Sequence, residues 1–92
     1  MITAIVLVHA DADRIPETAQ AIADLEGVAE VYSCAGDVDL IAMVKVREHD
    51  ELADVIAGHL SKVDGVHSTS THIAFRSYSS SDDATAFSVG LD

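Results

Sequence analysis

Two four-residue phrases, 38 positions apart, limit this chain more than anything else in it. Leu25 to Val28 reads LEGV and Val63 to Val66 reads VDGV. Each stands where an amphipathic stretch gives way to a β-branched one, and a glycine just past the last periodic apolar residue is a helix stop. Before the first phrase, Ile15, Ala19, Ile22 and Leu25 fall on one helical stripe from Arg14 to Leu25, with Pro16 tolerated in the opening turn. Before the second, Leu52, Val55, Ile56, His59, Leu60 and Val63 define a helix from Asp50 to Val63. Runs rich in Val and Ile predict strands at Ile2 to Val8, Val28 to Ala35, Leu40 to Val46 and Val66 to Arg76. Shifting the first half onto the second lays strand one on strand three and Ile22 on Leu60. The chain therefore reads as one strand-helix-strand unit used twice, its halves joined by a tight hairpin. Two right-handed crossovers of this kind predict an α+β, ferredoxin-like βαββαβ sandwich, a four-stranded antiparallel sheet with both helices on one face.

The other face of that sheet does not read as a solvent face. Strand one sets Ile5 and Leu7 against Ala4, Val6 and Val8, and strand three sets Ile41 and Met43 against Leu40, Ala42, Val44 and Val46. A 92-residue domain buries only about 60% of its unfolded surface, yet 49% of these residues are apolar. A second copy of the chain is the simplest cover, so at least a homodimer is expected.

Charge and cysteine content narrow the partners. Sixteen acids against five bases give a formal charge of −11, which opposes a phosphate-backbone footprint and argues against direct nucleic-acid binding. Cys34 is the only cysteine, so an internal disulfide and a multi-cysteine metal cluster are excluded. MITAIVLVHA lacks the basic flank and cleavage site of a signal peptide, and no apolar run approaches a membrane span. A cytoplasmic protein is the expectation. The domain is expected over residues 1–76, followed by a tail over 77–92. In that tail Ser81 reads as an N-cap before Asp82 and Asp83, Ala84, Phe87 and Val89 are apolar, and Gly90 reads as a stop, together predicting a short final helix.

Motifs for catalysis are absent: there is no Gly-rich phosphate loop, His-Glu-x-x-His, paired cysteine motif or nucleophile elbow. Among five histidines no pair has ligand spacing, although His9 at the end of strand one could approach His67 near the start of strand four. No metal or cofactor is expected. The run HSTSTH, His67 to His72, places Thr69 and Thr71 on one strand face and Ser68 and Ser70 on the other. It suits either an edge strand blunted by small polar groups or a rank of hydroxyls for a small zwitterion. In SCAGDVDLIAMV, Ser33 to Val44, a hairpin accounts for Gly36 at a positive φ and for Asp37 in an Asx-type turn. Asp39, next to an apolar strand, requires a cation or several donors.

VYSCAGDVDL (Val31 to Leu40) and DGVHSTST (Asp64 to Thr71), in this order within a βαββαβ frame, resemble the effector-binding or RAM domain of the leucine-responsive/asparagine regulator (Lrp/AsnC) family. The resemblance runs from about Ile2 to Arg76. It implies dimerisation through the sheets, rings of eight or ten subunits, and amino-acid effectors bound between dimers. By position it assigns Gly36, Asp39, Thr69 and Thr71 to the effector site. Backbone N–H groups at Gly36 and Asp37 are expected to face an α-carboxylate, with Asp39 and a threonine hydroxyl taking the ammonium. Val38 stands where the family pattern carries an aromatic residue, which leaves the ligand open. Family transcription factors carry an N-terminal helix-turn-helix domain, whereas this chain starts in the first strand. A stand-alone, non-enzymatic sensing module able to form mixed assemblies with full-length relatives is therefore expected. The alternatives are a dimeric α+β barrel oxygenase or isomerase using His9, His67 or His72, and a ligand-free structural subunit. An ACT domain fits less well, because HADADRIPE (His9 to Glu17) has no glycine at its first strand-helix turn.

Overall fold

A computed structural model describes residues 1–80. The elements run β1 (Ile2–Ala10), α1 (Ile15–Ala23), β2 (Val28–Ser33), β3 (Leu40–Val46), α2 (His49–Ile56) and β4 (Val66–Ala74), with short 3-10 turns at Ala12–Arg14 and Leu60–Lys62. The sheet is antiparallel with strand order β2-β3-β1-β4, so the two corresponding strands of the repeat, β1 and β3, lie side by side at its centre. This is the ferredoxin-like α+β sandwich. The predicted tail helix falls on Ser81 to Gly90, outside the described residues.

Strand alternation decides the core. Ala4, Val6 and Val8 of β1 and Leu40, Ala42, Val44 and Val46 of β3 are buried beneath the helices, joined by Ile22 of α1, Leu52 and Val55 of α2, and Leu60. Ile5, Leu7, Ile41 and Met43 occupy the opposite face and are half-buried. Register places Ile5 beside Met43 and Leu7 beside Ile41, an apolar patch at the centre of the uncovered face.

Both helices are shorter than their apolar stripes. In α1 the final turn tightens, with the Leu25 N–H donating to the Ile22 carbonyl at 3.0 Å, so regular helix ends at Ala23 rather than Leu25. In α2 the path breaks at Gly58, whose N–H reaches back to the Ala53 carbonyl at 3.2 Å and which packs directly against the Asp54 carbonyl. The chain then re-forms as a 3-10 turn that drops Leu60 into the core, and His59, placed on the stripe by sequence, is exposed. The hairpin between β2 and β3 is also longer than expected: six residues, 34–39, closed by the Cys34 N–H on the Asp39 carbonyl at 2.9 Å.

The two phrases of the repeat have matching physical roles. Gly27 and Gly65 adopt φ of +94° and +96°, the left-handed region that glycine enters without strain. A Cβ on Gly27 would stand 2.8 Å from Val55 Cγ2 of α2, and one on Gly65 would collide with Thr18 Oγ1 of α1. Each exit glycine is thus packed by the helix of the other half. Their carbonyls also bind the central strands' ends, Gly27 accepting the Lys45 N–H and Gly65 the Asp11 N–H, both at 2.9 Å. Thr18, the one buried polar residue in the described core, is satisfied by donating its hydroxyl to the Asp64 carbonyl at 3.2 Å. Gly65→Ala is therefore expected to destabilise the domain by about 2 kcal/mol, read as a drop in thermal midpoint of about 10 °C. Adding Thr18→Ala removes the colliding hydroxyl and should recover part of that loss in the same melting experiment.

Candidate functional site

The predicted site residues converge on the end of β1. After Val8, β1 leaves its regular register through an irregularity between His9 and Ala10. On its other edge β1 outruns β3, whose last rung is Leu40 on Val8, so the backbone groups of its final residues there must find other partners. Asp39 supplies them: its N–H donates to the Val8 carbonyl at 3.0 Å, and its Oδ2 accepts the Ala10 N–H at 2.8 Å. Its own carbonyl closes the hairpin on Cys34. The donor that sequence reasoning required for Asp39 is therefore, in part, the chain's own backbone. Its second carboxylate oxygen makes no hydrogen bond among the described residues, and the residue is half-buried.

Asp37 is held differently from the Asx turn expected for it. Its carbonyl, not its carboxylate, is engaged, accepting from His9 Nε2 at 2.8 Å. Because a carbonyl can only accept, Nε2 must carry the proton, which leaves Nδ1 as an acceptor for the Ser68 hydroxyl at 3.2 Å. His9 thus bridges the hairpin to β4. The approach of His9 to His67 considered from sequence does not occur as a pair, since His67 instead engages the Asp11 carboxylate. Gly36 has φ of +138°, is exposed, and has nothing within 4 Å of where a Cβ would stand. Its glycine is required by backbone conformation, and the space beside it is open.

The threonines are brought only part of the way. Thr69 pairs with Val8, and Thr71 with Val6, so both project from the helix-side face of β4, while Ser68, Ser70 and His72 share the uncovered face. Thr69 is half-buried, with its Oγ1 at 3.5 Å from Ser61 Oγ, and Thr71 is exposed. Thr69 and Leu40 flank the same residue, Val8, so Asp39 lies one residue from the rung that carries Thr69. Thr71 is two residues further along the strand. Sequence reasoning missed His9 as the connector and Ser68 as its partner; the parity of HSTSTH separates the serines from the threonines, but only strand register identifies which hydroxyl meets the hairpin. Two clefts, of about 460 and 520 Å³, lie at the opposite end of the sheet, and neither is lined by Gly36, Asp37, Asp39, Thr69 or Thr71.

The ferredoxin-like sheet thus carries an acidic hairpin clamped at the end of its central strand β1. Residues 3–83 match the family model of the Lrp/AsnC ligand binding domain, and the chain belongs to that family. An uncharacterized HTH-type transcriptional regulator of Pyrococcus horikoshii is 35% identical over 72 residues, covering 78% of this chain and 48% of the relative. The chain thus spans about half the length of that regulator. The crystal structure of TTHA0845 from Thermus thermophilus superimposes with a TM-score of 0.81 at 42% identity, covering 87% of this chain and 100% of that one. The transcriptional regulator NMB0573 of Neisseria meningitidis, solved as an L-Met complex, shares the fold with a TM-score of 0.76 at 12% identity, over 88% of this chain and 54% of that one. Among the described residues no helix is long and apolar enough to cross a membrane.

If Asp39 caps the end of β1, Asp39→Ala should lower unfolding free energy by about 1.5–3 kcal/mol, since it orphans the Ala10 N–H and removes a charged acceptor. Asp39→Asn retains an acceptor oxygen and should cost less than half of that. Urea denaturation of the two variants beside the parent checks both values.

Proposed function

We propose that this domain binds an amino acid or related small zwitterionic metabolite at the β2–β3 hairpin and self-associates through its uncovered sheet face, acting as a sensing module in transcription regulation. The observation that carries the reading is the half-committed carboxylate of Asp39: one oxygen is fastened to Ala10, which holds the side chain in place, and the other is available to an ammonium group. The open space beside Gly36 allows backbone N–H groups there and at Asp37 to meet a carboxylate, and Thr69, on the adjacent rung, supplies a hydroxyl. Thr71 would belong to the site only where a second copy brings it near a hairpin. Neither of the two clefts described above is lined by these residues, which favours a site completed between subunits. The L-Met complex of the Neisseria regulator supports an amino-acid effector by analogy of fold.

Ile5, Leu7, Ile41 and Met43, with exposed Tyr32 on the neighbouring strand, form the face that a second copy would cover. Rings of eight or ten subunits and mixed assemblies with full-length relatives are extensions of that association. Effector would act by favouring one assembly over another, which requires different affinity for the two. His9, the residue an oxygenase-like mechanism would need on β1, is engaged by Asp37 and Ser68, which supports the non-enzymatic reading.

A cognate amino acid at a hundredfold excess over Kd should stabilise the domain by about 2.7 kcal/mol, a rise in thermal midpoint of about 10–20 °C. Thr69→Val should reduce the response without lowering the ligand-free midpoint. No saturable shift with any standard amino acid would refute the ligand reading. Sedimentation at micromolar concentration should give a dimer or larger species, and a monomer would refute the association.

A further inference from the structure

At the far end of the sheet from the hairpin, charges of both signs face one cleft without pairing. The cleft, of about 460 Å³, lies between the end of β3, the α1–β2 turn and α2, a size that falls within the range of small-molecule sites. Arg47, one of the five bases in a chain of net charge −11, lines it from just after β3; Lys45 borders it as well, but by strand alternation its side chain stands on the uncovered face with Met43. Glu26 lines it from the turn and Asp54 from α2. Among the described residues neither cation lies within 4.0 Å of a carboxylate. Glu51, which also lines the cleft from α2, is spent on backbone: its Oε1 accepts the N–H groups of Arg47 and Glu48, at 3.2 and 3.0 Å, as half of the capping box that starts α2.

The walls of this cleft are fixed by backbone rather than by those charges. The Gly27 carbonyl holds the Lys45 N–H, and the missing Cβ of Gly27 lets Val55 seat against the turn, so buried Val46 and Val55 form an apolar floor. A cation is therefore carried on one wall and acids on the others, with apolar side chains between them. That arrangement is complementary to a molecule carrying one positive and one negative group on a short apolar spacer.

We propose that this cleft is a second small-zwitterion site, with Arg47 taking the ligand's carboxylate, Glu26 and Asp54 its ammonium, and Val46 and Val55 its methylene chain. It is independent of the hairpin site, sharing none of its residues. The test is an amide-resolved NMR titration of the full chain with 5-aminovalerate, using butyrate and butylamine as single-charge controls. Saturable shifts are expected at Gly27, Lys45 and Val55. Each single-charge control should bind at least about fivefold more weakly, and Arg47→Gln and Asp54→Asn should each weaken 5-aminovalerate about fivefold, the scale of one exposed charge contact. Both variants alter exposed side chains outside the core, and their folded state is verified in the same spectra. Equal affinity for the single-charge controls, unchanged affinity in both variants, or shifts confined to hairpin residues 34–39 would each overturn the proposal. The hairpin amides, read in the same titration, report separately on the site proposed there.

Discussion

The structure depends on a reciprocal packing between its two halves. Gly27, leaving the first helix, makes room for Val55 of the second, and Gly65, leaving the second, makes room for Thr18 of the first. Positive φ at both positions turns the chain from helix into edge strand, and the absent Cβ lets the opposite helix close on the turn. The carbonyls of the same two glycines then fasten the ends of β3 and β1. With so few aromatic side chains, the domain builds its core from small aliphatic residues whose dispersion gains depend on close approach. Close approach is what a glycine at each exit permits.

The same economy of parts applies at the hairpin, where structural roles and the proposed ligand contacts fall on the same groups. Asp39 caps the end of β1 where it outruns β3 and leaves one oxygen outward. His9 orders the loop through the Asp37 carbonyl and reaches β4 through Ser68. A ligand bound there would meet a carboxylate already oriented by the fold, so little further ordering is needed on binding. It would also act on contacts that join β4 to β1 and β3, the two central strands whose outer face carries the apolar patch. This gives a physical route by which effector and assembly can be coupled: both draw on the geometry of one strand end.

Much of the fold is legible in the sequence because its signals are local. Strand parity in Ile2 to Val8 and Leu40 to Val46 sorts core from open face without reference to any contact. The helix ends are less legible. Leu25 and Val63 continue the apolar stripe past the point where the backbone leaves the helix, because a residue can contribute to the core from a 3-10 turn as well as from a regular one, as Leu60 does. Spacing alone draws His59 into the stripe, and only the break at Gly58 turns it outward.

The sequence by itself determined the repeated unit, the alternation of its central strands, the need for glycine at both helix exits, and the pairing of motifs by which the chain is placed in the Lrp/AsnC family. These follow from spacing and from the conformational range of single residues. The tertiary structure decided which partners the polar residues take. That Asp39 meets Ala10, that Asp37 is held by its carbonyl, and that Ser68 rather than a threonine meets His9 depend on register across β1, where a shift of one residue would exchange every neighbour. It also decided where charges remain unpaired, since Arg47 meets Glu26 and Asp54 only across a cleft closed by contacts between the two halves.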